Sequence, residues 1–354
     1  MPELHPLFAR LGLRQPILLA PMAGTASPTL SAAVSEAGGL GGLGLVAFDP
    51  DGAAAEIAAH RAQSAGPINA NFFCHRRAPS DPARDRAWAE RLRPVFAGFG
   101  AEPPGTLREL YATLPGNAAM LEMLLDIRPE VVSVHLGLPA PEDVARLKAA
   151  GIVLFASATS LPEALAAEAA GFDAVVAQGW EAGGHRGVFD ENGPDDRLGT
   201  LALTRLLARR LSIPVIATGG IMDGAGIAAA LELGAAAAQL GTAFVACPES
   251  RADDAYRAAL AGEGAYHTVM IRAISGRPSR CLGNRFAAWA AEVPDAEVPA
   301  YPFAYDAGKA LIAAAKAAGD GGWGSHWAGQ GAPLSRPMPA AELVATLAEE
   351  LAAA

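Results

Sequence analysis

Short apolar runs recur along the chain, each followed by a turn and a helix-length segment. They begin near Pro16 (PILLA), Gly42 (GLGLV), Ile68 (INANFF), Val131 (VVSV), Val153 (VLFA), Ala174 (AVVAQ), Val215 (VIAT) and Ala237 (AAQLG), eight in all. Apolar runs without alternation are the pattern of parallel strands covered on both faces. Between them, Pro141–Ala150, Leu161–Ala170, Thr200–Leu211 and Gly224–Leu233 read as Ala/Leu-rich helices, most of them ending at a glycine or just before the next strand. Eight βα units predict an α/β protein, a (β/α)8 TIM barrel with its site at the C-terminal strand ends.

Two stretches exceed the barrel. Residues 75–129 carry Pro79, Pro82, Pro94, Pro103 and Pro104, with helices expected around Arg84–Ala97 and Asn117–Asp126. Residues 248–330 follow the last strand and also read as mostly helical. Both are expected to form a helical cap over the mouth, leaving 1–74, 130–247 and 331–354 as the barrel. Leu343, Leu347 and Leu351 give the Ala-rich tail a helical face, so Pro339–Ala353 is expected to return as the eighth barrel helix.

Composition narrows the function. The net charge is −10, with no dense Lys/Arg patch, which disfavours nucleic acid and anionic membrane as partners. No apolar run reaches the roughly 18 residues of a spanning helix. The start, MPELHPLFARLGL, lacks the basic, apolar and small-residue regions of a signal peptide, and a cytoplasmic protein is expected. Cys74, Cys247 and Cys281 are scattered without CxxC spacing, which fits reduced thiols. No histidine has a partner at metal-ligand spacing, so no metal site is expected.

The densest chemistry lies in Ala174–Gly187, AVVAQGWEAGGHRG. A buried strand ends at Gln178 and opens into a loop that holds Gly179, Gly183, Gly184 and Gly187 around Trp180, Glu181, His185 and Arg186. Glycines admit close approach of a ligand, and histidine exchanges a proton near neutral pH. Thr218-Gly219-Gly220 and Gln239-Leu240-Gly241-Thr242 follow the seventh and eighth strands, where barrels frequently bind phosphate. Ala20-Pro21-Met22 closes the first strand with a backbone able to lie flat against a planar ligand. Gly39–Gly44 (GLGGLG) spells a dinucleotide fingerprint, but it follows a helix and enters a strand, the wrong context; a helix C-cap and turn fit better. Tyr111, Tyr256, Tyr301, Tyr305 and Lys309 suit an anionic substrate, although their spacing fits interfacial tyrosines and a solvated lysine equally well. His135 ends the fourth strand and ranks below His185.

On these residues the sequence resembles class I nitronate monooxygenases, formerly grouped as 2-nitropropane dioxygenases. The resemblance runs through PILLAPMAG, AVSEAGGLGGLG, NANFF, AQGWEAGGHRG, PVIATGGI, AAQLGTAF, SGRPSR and WAGQGAPLSR, in that order. It implies noncovalent FMN at the mouth of a lidded TIM barrel. Ala20, Pro21 and Met22 would lie beside the flavin, Asn71 and Gln178 would hydrogen-bond it, and Gly183 and Gly184 would line it. Gly219, Gly220, Gln239, Leu240, Gly241 and Thr242 would hold its phosphate. His185 matches the family's active-site histidine, with the four tyrosines and Lys309 in the substrate cavity. The implied reaction takes an alkyl nitronate, such as propionate 3-nitronate, with O2 to a carbonyl compound and nitrite. A monomer or homodimer is expected. The alternatives are an NAD(P)H-dependent flavin reductase on the same barrel and a non-catalytic binder of phosphate metabolites.

Overall fold

The computed structural model describes residues 3–354. Its strands are β1 (Ile17–Leu19), β2 (Gly41–Gly44), β3 (Ile68–Phe73), β4 (Val131–His135), β5 (Val153–Ala158), β6 (Ala174–Gln178), β7 (Gly184–His185), β8 (Val215–Thr218), β9 (Ala237–Leu240), β10 (Val269–Ile271) and β11 (Ser279–Cys281). All eight apolar runs are strands. They pair in parallel in the order β1-β9-β8-β6-β5-β4-β3-β2. A bridge between Leu18 and Leu40 brings the two ends of that sheet together, with Leu40 N–H donating to Ile17 O at 3.1 Å and Leu19 N–H to Leu40 O at 2.9 Å. The result is a closed (β/α)8 barrel.

The GLGGLG segment makes that closure possible. A Cβ on Gly42 would stand 2.4 Å from Leu19 O, and one on Gly44 would stand 2.5 Å from Ala23 N. The glycines are there so that β2 can nest against β1, and no dinucleotide motif is formed.

The barrel helices start on short-range signals. Ser27 Oγ accepts from Leu30 N–H at 2.9 Å, and Asp49 and Asp223 cap their helices in the same way. Several of these helices also carry proline in the first turn. At the lower end, the helix Pro6–Arg10 sets Leu7 and Phe8 among Leu18, Val131, Phe155, Val176 and Ile216, so side chains plug the barrel below the site.

The two excursions share a hydrophobic cluster above the mouth. Trp88, Leu92 and Phe96 come from the first, and Phe286, Tyr305 and Leu311 from the second. The helix Ala118–Ile127, expected in the cap, packs elsewhere. Met120, Leu121, Met123 and Leu124 join the outer core of the barrel beside Ile57, Val144 and Leu147, so the cap portion of 75–129 ends before this helix. The final helix, Ala340–Ala353, packs Leu343 and Leu347 with Leu30 and Ile227 on the barrel's outer layer. A small antiparallel sheet of β10, β11 and β7 joins cap to barrel, pairing Ser279 with His185 and Arg280 with Gly184. His185 therefore stands on a short strand, where the sequence pattern indicated a loop. Among the described residues no helix is long and apolar enough to cross a membrane.

Candidate active site

A cavity opens at the C-terminal ends of the barrel strands, under the cap. Ala20, Pro21 and Met22 line it from the end of β1, Asn71 from β3, and Gln178 from the end of β6. Gly183, Gly184 and His185 form a further side, and Gly219, Gly220, Gln239, Gly241 and Thr242 the next. The cap contributes Tyr111, Tyr256, Tyr305 and Lys309. The sequence-predicted residues thus converge, with two exceptions. Leu240 is 1% exposed and packs outward with Phe244 and Leu343, because it follows the inward-facing Gln239 on the same strand. Tyr301 is 1% exposed and lies behind the wall, edge-on to His75 at 4.8 Å and to His185 at 5.5 Å. The cavity also takes in Phe73, His135 and Trp327; His135 ranked low in the sequence, and the other two carried no role there.

His185 stands in an aromatic enclosure. Phe73, Tyr305 and Trp327 place their rings 5.7, 5.9 and 5.5 Å from the imidazole. Burial, with lesser help from His135, Arg277 and His75, pulls its pKa from 6.5 to about 3. The ring is therefore neutral at physiological pH. Its Nε2 is sealed from solvent and has no hydrogen-bond partner. The backbone under it is fixed: the carbonyl of His185 accepts from Gln178 Nε2 at 3.0 Å and meets His135 Nε2 at 3.0 Å. Since that acceptor is a carbonyl, His135 carries its proton on Nε2.

Buried guanidinium groups hold the loop that follows. Arg186 donates to both oxygens of Asp195, at 2.8 and 2.9 Å, and to Gln178 O at 2.6 Å. Arg277 donates to Val188 O at 2.6 Å and pairs with Glu191. Bidentate pairs of this kind fix geometry as well as charge.

Across the cavity, Lys309 Nζ lies 5.2 Å from the Tyr111 ring centre and 5.4 Å from that of Tyr305, within cation–π range. Burial lowers its pKa. Lys309 is the only Asp, Glu, Lys or Arg among the described lining residues, so its charge has no carboxylate to oppose it there. Trp327 Nε1 donates to Tyr305 Oη at 3.4 Å, and Tyr256 Oη donates to Trp327 O. These bonds tie the cap aromatics to the segment that carries Trp327.

Opposite the cap, the N–H groups of Gly219, Gly220 and Gly241 have no acceptor among the described residues. Gly219 and Gly220 have φ of +124° and +71°, a region other residues rarely adopt. A Cβ on Gly241 would stand 3.3 Å from Ala20 Cβ. Free donors and a bare backbone make this side suited to an anion.

A family model described as nitronate monooxygenase matches residues 6–350. The chain is 56% identical over 345 residues to a nitronate monooxygenase from Paraburkholderia phytofirmans, covering 98% of this chain and 94% of that one. It is 53% identical over 347 residues to a nitronate monooxygenase from Pseudomonas aeruginosa, covering 97% and 98%. Nitroalkane oxidase from Streptomyces ansochromogenes is 40% identical, with a TM-score of 0.91 over 98% of both chains. FabK from Thermotoga maritima is 28% identical, with a TM-score of 0.75 over 100% of this chain and 97% of that one. Barrel, cap and cavity fall within the matched residues, and the chain belongs to the nitronate monooxygenase family, enzymes that oxidise nitronates.

Proposed function

We propose that the cavity binds FMN and that the enzyme uses it with O2 to convert alkyl nitronates into a carbonyl compound and nitrite. The residues present fit this group. The unpartnered N–H groups of Gly219, Gly220 and Gly241 would take the phosphate, with Gln239 and the Thr242 hydroxyl beside them. Ala20, Pro21 and Met22 offer a flat backbone edge for the ring, with Gly183 and Gly184 on another side. Asn71 donates from Nδ2 to Ser133 Oγ at 2.8 Å, and its Oδ1 makes no hydrogen bond among the described residues. Gln178 uses its oxygen and one N–H on the His185 loop, so one N–H remains for the flavin. Bound there, FMN would accept electrons from the substrate and pass them to O2.

The observation that carries the reading is a neutral imidazole facing a cavity whose only charged side chain, among the described residues, is an ammonium. An imidazole with a pKa near 3 is a poor base for the α-proton of a neutral nitroalkane. A nitronate has already lost that proton. His185 would instead donate a hydrogen bond to the nitronate, while Lys309, Tyr111, Tyr256 and Tyr305 offset its charge out of bulk water. Propionate 3-nitronate suits the site because Lys309 can take its carboxylate while the neutral His185 and the phenols hydrogen-bond its nitronate end. Free, buried Cys74, Cys247 and Cys281 support a cytoplasmic setting.

The test is an absorption spectrum before and after anaerobic addition of propionate 3-nitronate. A flavin spectrum that bleaches supports the proposal. A protein that stays colourless after FMN is added overturns it. The likeness to FabK makes anaerobic mixing with NADH a useful control, since bleaching by NADH alone would favour a flavin reductase.

A further inference from the structure

The cap segment that carries Tyr111 has few attachments. Residues 102–112 form no helix or strand and make no backbone–backbone hydrogen bond among the described residues. The ends are anchored: Ala101 N–H donates to Phe96 O at 3.1 Å, and Leu114 N–H to Phe73 O at 2.8 Å. Between them, among the described residues, hydrogen bonds join the segment to the helix Phe303–Ala317 only at Asp306. That carboxylate is 5% exposed and accepts from Arg108 N–H at 3.1 Å, Nε at 3.4 Å and Nη2 at 3.0 Å.

Both sides of this joint lead directly to cavity walls. Tyr111 follows Arg108 by three residues, and Tyr305 and Lys309 flank Asp306 on the helix. Asp306 and Lys309 also stand at i and i+3, where an acid and a base can pair. They form no ion pair here. The carboxylate is held by Arg108, and the ammonium lies over the rings of Tyr111 and Tyr305.

We propose that Asp306 and Arg108 are positioning residues for anion binding: their clasp seats Tyr111 against Lys309 and keeps the helix's only acid off that ammonium. Without Arg108, the Asp306 carboxylate competes with substrate for Lys309. The inference rests on the cavity taking an anionic nitronate, as proposed above.

The test is steady-state kinetics of the FMN-loaded enzyme on ethyl nitronate, with Arg108→Ala and the double variant Arg108→Ala/Asp306→Asn. Arg108→Ala is expected to raise KM by roughly fivefold, the weight of about one charged contact, with kcat and the flavin spectrum kept. The double variant is expected to recover part of that KM, because asparagine does not compete for the ammonium. An unchanged KM in Arg108→Ala overturns the proposal. So does a double variant no better than the single one. The Arg108 side chain is 76% exposed, so its removal leaves the fold intact, and that variant alone can decide against the idea. Wild-type enzyme that fails to turn over ethyl nitronate would count against the functional reading instead, before any variant is made.

Discussion

Gln178 Nε2 donates to the main-chain carbonyl of His185 across 3.0 Å, so the end of β6 sets where the imidazole stands. The same amide takes the Gly187 N–H on Oε1 at 2.7 Å and thereby grips the loop on both sides of Arg186. The imidazole is thus placed through its backbone. Neither ring nitrogen is committed to another side chain among the described residues; Nε2 is sealed, so Nδ1 is the nitrogen a ligand can reach.

That arrangement separates two substrates. For a neutral nitroalkane a proton must also be removed, and the buried imidazole is a weak base for it, so wild-type turnover should be slow and His185→Asn should lower kcat/KM by roughly 10²-fold, the low end for a positioned base. For the corresponding nitronate only a hydrogen bond is at stake, and asparagine can still donate one. The loss there should be no more than about tenfold. Both rates are measured on FMN-loaded protein. Equal losses on the two substrates would remove the distinction.

Lys309 should give the site an alkaline limit. Burial lowers its pKa below the ordinary 10.5, so the ammonium is lost earlier than that of a solvated lysine. The phenols of Tyr111 and Tyr305 move up, also by burial, and do not ionise in that range. For a nitronate, kcat/KM should fall as pH rises, with an inflection below 10.5. Lys309→Met should abolish that inflection and raise KM by roughly 10–100-fold. A limb that persists in the variant belongs to another group.

The strands were legible because a wall buried on both faces admits few polar residues, and all eight runs met that condition. Alternation could have improved the site. Asn71 and Phe73 share a face of β3, and Leu240 faces away from Gln239, so Phe73 could have been added and Leu240 set aside. Tyr301 and Tyr305 are four apart, as if sharing a helical face. The helix begins only at Phe303, so the Tyr301 ring turns inward behind Phe73. β7 was not legible, because two residues become a strand only by pairing with β11. Trp327 likewise reaches the cavity from a segment with no periodicity.

Acid should unfold the protein through its buried imidazoles. The pKa values of His75, His135 and His185 fall to about 4, 4 and 3, in each case chiefly by burial. In the unfolded chain they return to about 6.5 and bind protons the folded state does not. Their stability contribution is therefore complete above about pH 6.5 and is lost as pH falls toward 4. Tm followed from pH 8 to 4 should drop through that window. His75 makes no hydrogen bond through either ring nitrogen, and His75→Phe should make the drop shallower. A flat wild-type profile would contradict this.

The loop glycines make separable predictions. A Cβ on Gly183 would stand 2.6 Å from Ala328 C and from Gly329 N, both backbone atoms that cannot rotate away. That crossing segment is fixed by Gly329 N–H to Thr242 Oγ1 at 2.9 Å and Gln330 N–H to Glu181 O at 2.9 Å. Gly183→Ala must push it off Thr242, beside the proposed phosphate site, at a cost of about 1–3 kcal/mol. Gly184 has open space around it but a φ of +74°, so Gly184→Ala meets only backbone strain, about 1–2 kcal/mol. The two losses of Tm should be comparable. Flavin retention through gel filtration should fail only in Gly183→Ala, and equal retention in both variants would separate that segment from FMN binding.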